Sequence, residues 1–304
     1  MCRVLAYLGS PILLKDLLYS ADSSLIKQTY DPKMLRMLNL AGFGITAWGR
    51  SSDQPDIPFT YRTTDIPVFD PNLNNLSQII RSHCLLAHVR GVPYSHAVQI
   101  GPANLHPFRY EGISMAFAHN GDLVSFGEMR GDLLDAIKPE FAKLIMGSTD
   151  SEWIYALFLS QFKDPAAHQA PLDIVNAISK TLAVLRKIRD RLGINTSSSV
   201  NLFVCDGHNL VATRFTFDFG CYGDSVSENE LSYLSLWFTF GRDYGFHDGE
   251  WKMVGGAGHS DSVIVSSEPL TCEVSTWLEI PEYSSLYVTS ENGRRVANTV
   301  ELNI

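Results

Sequence analysis

A cysteine stands directly after the initiator methionine, and removal of Met1 would make Cys2 the first residue of the chain. Its thiol would then lie beside a free α-amine, whose ordinary pKa of about 7.7–8.0 suits a general base near neutral pH. One residue would supply nucleophile and base together. The competing reading of Cys2 is a small buried hydrophobe at the start of a strand.

Three further positions carry chemistry of the kind such a nucleophile needs. Asn120-Gly121 follows an apolar run, and the pair presents a side-chain amide and a backbone N–H on one edge, the donor set of an oxyanion hole. The same dipeptide is the strongest short signal for a two-residue hairpin turn. Arg90 ends the apolar stretch Leu85-Leu86-Ala87-His88-Val89, where a guanidinium can hold a carboxylate bidentately or make a strand-end ion pair. Asp150 falls in the first turn of a helix, favourable to an acid through the helix dipole and also suited to a substrate ammonium.

Other residues with chemical potential lack the required spacing. His83, His88, His96, His106 and His119 contain no H-E-x-x-H or H-x-H arrangement, so no metal site is expected. Gly258-His259-Ser260-Asp261-Ser262 lacks the closing glycine of a serine-nucleophile elbow. Gly255-Gly256-Ala257-Gly258 lacks the Lys-Ser/Thr of a phosphate loop and is expected as a turn.

The elements that must position these residues form a long globular chain. Its 304 residues are 45% hydrophobic and 19% charged, which excludes disorder as the main state. A net charge of −9 argues against nucleic-acid binding. The one basic cluster, Arg186, Lys187, Arg189 and Arg191, suits the solvated last turns of a helix. No run approaches the roughly 20 apolar residues of a membrane span, and the N-terminus has no signal-peptide pattern. Five scattered cysteines without a C-x-x-C pair fit a reducing compartment, so a cytoplasmic location is expected.

Short β-rich runs are expected as strands at Cys2–Leu8, Gly42–Trp48, Cys84–Val89, Ser114–His119, Val200–Cys205, Leu210–Phe215, Tyr233–Phe240, Val263–Ser267 and Ser285–Thr289. A helical stripe runs from Pro171 to Leu192, with Pro at its start and Gly193 just past its end. A second helix is expected from Thr149 to about Phe162, where Thr149 and Glu152 have capping-box spacing. Strand pairs flanking Asn120-Gly121 and Asp206-Gly207 leave no room for crossover helices. Antiparallel hairpins and an α+β class follow.

Taken together, Met1-Cys2-Arg3, Ala87-His88-Val89-Arg90, Asn104-Leu105-His106-Pro107, His119-Asn120-Gly121 and Ser148-Thr149-Asp150-Ser151-Glu152 occur in a recognisable order. The chain resembles the class II glutamine amidotransferases, N-terminal-nucleophile (Ntn) hydrolases, and within them the single-domain subgroup. That subgroup includes the ergothioneine-pathway γ-glutamyl hydrolase and the amidotransferase-like subunit of a glutathione-degrading complex. The subgroup's signatures also match Cys2 to Gly9, His106-Pro107-Phe108 and Ser267-Glu268-Pro269-Leu270.

The resemblance implies a four-layer αββα sandwich with two antiparallel sheets, and one domain over residues 2–304 with a short tail beyond about 290. It implies Cys2 as nucleophile, Asn120 and Gly121 as oxyanion donors, Arg90 on the substrate α-carboxylate and Asp150 on its α-ammonium, with His106 and His119 lining the pocket. No cofactor is implied. The substrate would be glutamine or another small γ-glutamyl compound, and any ammonia acceptor would be water or a separate chain. A partner-dependent or non-catalytic γ-glutamyl-binding subunit is the alternative. The chain departs from the larger amidotransferases after Arg90, where Gly91-Val92-Pro93-Tyr94 replaces Thr-His, and at Ala41-Gly42, where the subgroup has Asp-Gly.

Overall fold

The computed structural model describes residues 2–34, 37–49, 54–92, 100–221, 235–255, 260–291 and 294–304. The first half of the chain supplies β1 (Arg3–Leu13), β2 (Phe43–Trp48), β3 (Phe59–Thr63), β4 (Arg81–Val89) and β5 (Ala116–Gly121). After the helices come β6 (Ser198–Cys205), β7 (Leu210–Arg214), β8 (Thr216–Phe217), β9 (Trp237–Gly241) and β10 (Asp243–His247). The last strands are β11 (Glu250–Val254), β12 (Ser262–Ser266), β13 (Leu278–Glu279), β14 (Ser284–Glu291) and β15 (Arg294–Glu301). The helices are α1 (Pro71–Ser77), α2 (Phe126–Ala136), α3 (Pro139–Ala142), α4 (Asp150–Leu159) and α5 (Pro171–Leu192).

The strands form two antiparallel sheets, one in the order β13-β9-β12-β1-β4-β2-β3 and the other β15-β14-β7-β6-β5, with β10 and β11 as a separate ribbon. Side-chain alternation sorts each strand between two environments. On β1, Val4, Ala6 and Leu8 join Cys84, Leu86, Ala118, Phe203 and Val265 between the sheets. Leu5 and Tyr7 point the other way, against Leu17, Leu18 and Leu25. Both faces of β1 are therefore buried, which is why its sequence is apolar without alternation.

On the far side of the second sheet, Phe117, Leu202 and Val204 pack on α4 and α5 through Ile154, Phe158, Ile178 and Leu182. The protein is thus an α+β sandwich. The layer over the first sheet holds the helical segment Asp16–Ser20, Leu73 of α1 and residues of the β10–β11 ribbon, Tyr244 and Met253.

Several local expectations change. β1 continues through Gly9-Ser10-Pro11 to Leu13 because its pairing with β4 shifts register between Leu8 and Ile12, and this irregularity accommodates the proline. Asn120 and Gly121 form no hairpin: both belong to β5 and pair with Asn201 and Val200, and α2 follows soon after. The Asp206-Gly207 hairpin does form, with the Asp206 carboxylate accepting from His208 and Asn209 N–H. In place of a tail beyond about residue 290, Arg294–Glu301 forms β15, paired with β14 over eight residues.

Helix α5 spans Pro171–Leu192 as its periodicity predicts and ends at Gly193 in the left-handed region. Its basic cluster is not a solvated face throughout. Arg189 is fully buried, donating to Ser198 Oγ and the Thr196 carbonyl and pairing with Asp218, which Arg186 also reaches. At α4, Thr149 is the N-cap but its side chain makes no capping bond. The buried Glu152 instead accepts from the N–H groups of Met146 and Gly147, so it closes the preceding loop. Tyr233 and Leu234, expected to open the strand now seen as β9, and residues 256–259 of the glycine-rich stretch lie outside the described residues.

Candidate active site

One end of the sandwich gathers the start of β1, the ends of β4, β5 and β12, and the N-terminus of α4. The antiparallel pairing Arg3↔Val89 sets Cys2 beside Arg90, and Leu5↔Ser266 brings Ser267 to the same corner. Alternation continues the inter-sheet face from Val4 to Cys2, from Ala118 to Asn120 and from Val265 to Ser267. Cys2, Asn120 and Ser267 therefore project into the space between the sheets at one corner. None of this is visible in one segment of the sequence.

Cys2 is partly buried, with its Sγ 3.6 Å from the Gly91 carbonyl. Asn120 is buried and its Nδ2 donates to Ser267 Oγ at 3.0 Å. That bond engages one of the two amide hydrogens. Gly121 is glycine for a reason other than a turn. A Cβ there would fall on the Ser199 carbonyl oxygen, well inside the 3.0 Å that real Cβ contacts respect. The next residue, Asp122, donates its N–H to Ser199, so alternation directs the Gly121 N–H away from β6 off the outer edge of β5.

Arg90 is buried, and its backbone extends the ladder by bonding to Gly42 and Ala41. Burial lowers the pKa of its guanidinium, while the neighbouring Cys2 and Asp150 oppose that shift. Asp150 is the first residue of α4. Its carboxylate accepts from the Leu123 and Ser151 N–H groups, both at 2.7 Å, and from Ser151 Oγ at 3.1 Å. Arg90, at a strand end, thus neighbours both the thiol of Cys2 and the carboxylate of Asp150 at a helix end.

The two pocket histidines are placed differently from one another. His119 is buried on the face of β5 opposite Asn120, with Nδ1 2.9 Å from Ser151 Oγ and Nε2 3.4 Å from the Ser199 carbonyl. It touches Asp150 through Ser151 and so belongs to the support of the site. His106 is buried against His88, with ring centroids 4.1 Å apart, in the space that Gly44 leaves open. Burial, reinforced by the nearby Arg90 guanidinium, lowers His88 to about 3 and His106 well below the usual imidazole range, so both rings are neutral. The peptide bond between His106 and Pro107 is cis.

Sequence reasoning assigned no role to Ser267, Glu268, Arg3, His88 or Ser151. The signal for the first two is local: Ser266-Ser267-Glu268 follows the apolar run Val263-Ile264-Val265 where the chain is still inside the core. Among the described residues, no group of three or more His, Cys, Asp or Glu side chains is placed to hold a metal ion. No helix among them is long and apolar enough to cross a membrane.

The family model described as glutamine amidotransferases class-II matches residues 67–222. The chain is 29% identical over 309 residues to the probable glutamine amidotransferase DUG3 of Saccharomyces cerevisiae, covering 96% of this chain and 82% of that protein. It is 25% identical over 230 residues to the γ-glutamyl-hercynylcysteine sulfoxide hydrolase of Mycolicibacterium smegmatis, covering 75% of this chain and 82% of the relative. Among solved structures, a glutamine aminotransferase class-II domain protein from Silicibacter pomeroyi superposes with a TM-score of 0.60 at 21% identity, over 99% of this chain and 100% of that one. The glutamine phosphoribosylpyrophosphate amidotransferase of B. subtilis superposes with a TM-score of 0.57 at 16% identity, over all of this chain and half of that one. Those two structures establish the likeness of fold, and the family match together with the sequence relatives goes further: the chain belongs to the class-II glutamine amidotransferases.

Proposed function

We propose that the protein hydrolyses a γ-glutamyl amide, with Cys2 as nucleophile. The observation that carries this reading is the meeting of Cys2, Arg90, Asn120-Gly121 and Asp150 at one end of the sandwich, from four separate stretches of chain. A γ-glutamyl group is a zwitterion on a short tether. Arg90 would bind its α-carboxylate and Asp150 its α-ammonium, which sets the γ-carbonyl against the thiol.

With Met1 removed, the α-amine of Cys2 takes the thiol proton as sulfur bonds to the γ-carbon. Asn120 Nδ2 and the Gly121 N–H would hold the oxyanion. Collapse breaks the C–N bond, the proton passes to the departing amine, and a γ-glutamyl thioester remains. Water then attacks the thioester carbon, the C–S bond breaks, and glutamate leaves with the thiol restored.

The leaving group is proposed to be ammonia or a larger amine. The name of the mycobacterial relative, a γ-glutamyl hydrolase, supports the larger class. We place the reaction in the cytoplasm, in keeping with five free cysteines. A separate chain would serve as acceptor if ammonia is passed on rather than released.

The test is glutamate release from glutamine and a panel of γ-glutamyl amides by protein whose intact mass shows loss of Met1. Turnover that disappears in Cys2→Ala, with the fold intact by circular dichroism, is the expected result. Full activity in Cys2→Ala, or no release from any member of the panel, would overturn the proposal.

A further inference from the structure

A two-residue corner at the end of β12 holds both halves of the site at once. Ser267 Oγ accepts from Asn120 Nδ2 and from the Val4 N–H, each at 3.0 Å, while the Ser267 N–H donates to the Val4 carbonyl. The oxyanion amide on one sheet is thereby fastened to the backbone two residues after Cys2 on the other sheet. The next residue, Glu268, is buried with its carboxylate 3.5 Å from Arg3 Nε, and it also accepts from the Lys33 and Met34 N–H groups. Arg3 in turn donates Nη1 to the Cys2 carbonyl at 3.0 Å.

A Ser267 hydroxyl serving only to fill space would have no reason to accept from both partners. A surface ion pair at Arg3 and Glu268 would contribute little. Here both members are buried, and the pair ends on the peptide group of the nucleophile. Acyl transfer is sensitive to the spacing between attacking atom and oxyanion donors, and an error near 1 Å costs on the order of 10²-fold in rate. Asn120 and Cys2 stand on different sheets, so their separation follows inter-sheet packing unless something bridges it. Ser267 is that bridge.

We propose that Ser267 is a positioning residue that sets the oxyanion amide of Asn120 against Cys2, with Glu268 and Arg3 fixing the Cys2 peptide from the same corner. This rests on the functional reading above. Ser267 touches no reacting atom in this scheme. Its effect on catalysis therefore passes through Asn120, which makes the proposal measurable as a coupling.

The experiment is a double-mutant cycle of Ser267→Ala and Asn120→Ala on glutamate release, with Ser267→Thr as the variant that keeps the hydroxyl. Ser267→Ala is expected to lower kcat on the order of 10–100-fold, with KM and the inhibition constant of free glutamate within about twofold. Glutamate has no tetrahedral oxyanion to stabilise, so its binding reports a folded pocket independently of the effect on kcat. In the Asn120→Ala background, Ser267→Ala should cost almost nothing more, and Ser267→Thr should restore most of the parent rate.

Additive losses, a kcat for Ser267→Ala within twofold of the parent, or loss of kcat accompanied by equal loss of glutamate binding would each overturn the positioning role alone. A parent protein without turnover would overturn the functional reading and this role with it.

Discussion

The carbonyl oxygen of His106 occupies the space that a side chain at position 44 would need. A Cβ built on Gly44 lands on that oxygen and close to the His106 carbonyl carbon and the Arg62 stem. Gly44 faces the interior from β2, and its missing side chain is what lets the His106-Pro107 segment run beneath the strand, held also by a bond from Arg62 to the Pro107 carbonyl. Gly44→Ala is expected to push that segment away, costing about 1–3 kcal/mol of stability by overpacking and lowering turnover. Urea unfolding beside a glutamate-release assay checks this; a variant as stable and active as the parent would show that the segment moves freely.

Gly121 carries a parallel constraint with a different readout. Its Cβ would strike the Ser199 carbonyl, which the Asp122 N–H uses to hold the end of β5. Gly121→Ala should therefore displace the proposed oxyanion donor without touching Arg90 or Asp150. The expected result is a fall in kcat on the order of 10²-fold or more, with glutamate still binding near its parent affinity. Equal weakening of both would point to collapse of the pocket.

What was legible in the sequence divides by the range of the interaction. The stripe of Ile174, Ile178, Leu182, Leu185 and Ile188 settled α5 because helix burial repeats within a single segment. The strands around Cys2, Phe43, Cys84 and Val263 were legible because both of their faces are buried, which leaves an apolar run. Chain segments whose partners are remote read poorly. Asn120-Gly121 looked like a turn, since nothing nearby announces that Ser199 will crowd Gly121. Arg189 looked solvated because Asp218, which pairs with it, lies beyond three strands. Thr149 and Glu152 had the right spacing for mutual capping, yet the loop at Met146 and Gly147 took the carboxylate instead. The candidate site was legible as motifs in order, but the corner at Ser267 joins residues 263 positions apart.

The two proposed charged anchors should separate from the proposed oxyanion donors in kinetics. Arg90 and Asp150 would bind groups that are charged in ground state and transition state alike, so their loss removes uniform binding. Arg90→Ala and Asp150→Asn are each expected to raise KM and the inhibition constant of glutamate by an amount corresponding to about 1.5–3 kcal/mol, the range for hydrogen bonds to charged groups. Asn120→Ala should instead lower kcat with little change in glutamate binding. Steady-state kinetics with glutamate as competitive inhibitor distinguish these patterns, and a pure kcat effect at Arg90 would remove it from carboxylate binding.

The buried pair of His88 and His106 predicts how stability depends on pH. Both rings are neutral in the folded protein because burial lowers their pKa, His88 to about 3. Unfolded, each would titrate near the ordinary value of about 6.5. Below that pH the unfolded chain binds protons that the folded one does not, so acid favours unfolding. Their burial carries no protonation-linked cost at pH 8, and stability falls as pH drops through 6.5 toward the folded values, by roughly 1.4 kcal/mol per pH unit for each histidine. Urea midpoints between pH 7.5 and 4.5 should fall more steeply for the parent than for His88→Gln, whose side chain does not titrate. The comparison isolates the histidine from carboxylates that titrate over the same interval. Identical slopes in the two proteins would mean that His88 takes up its proton inside the fold, and that the interior at Gly44 admits a charge.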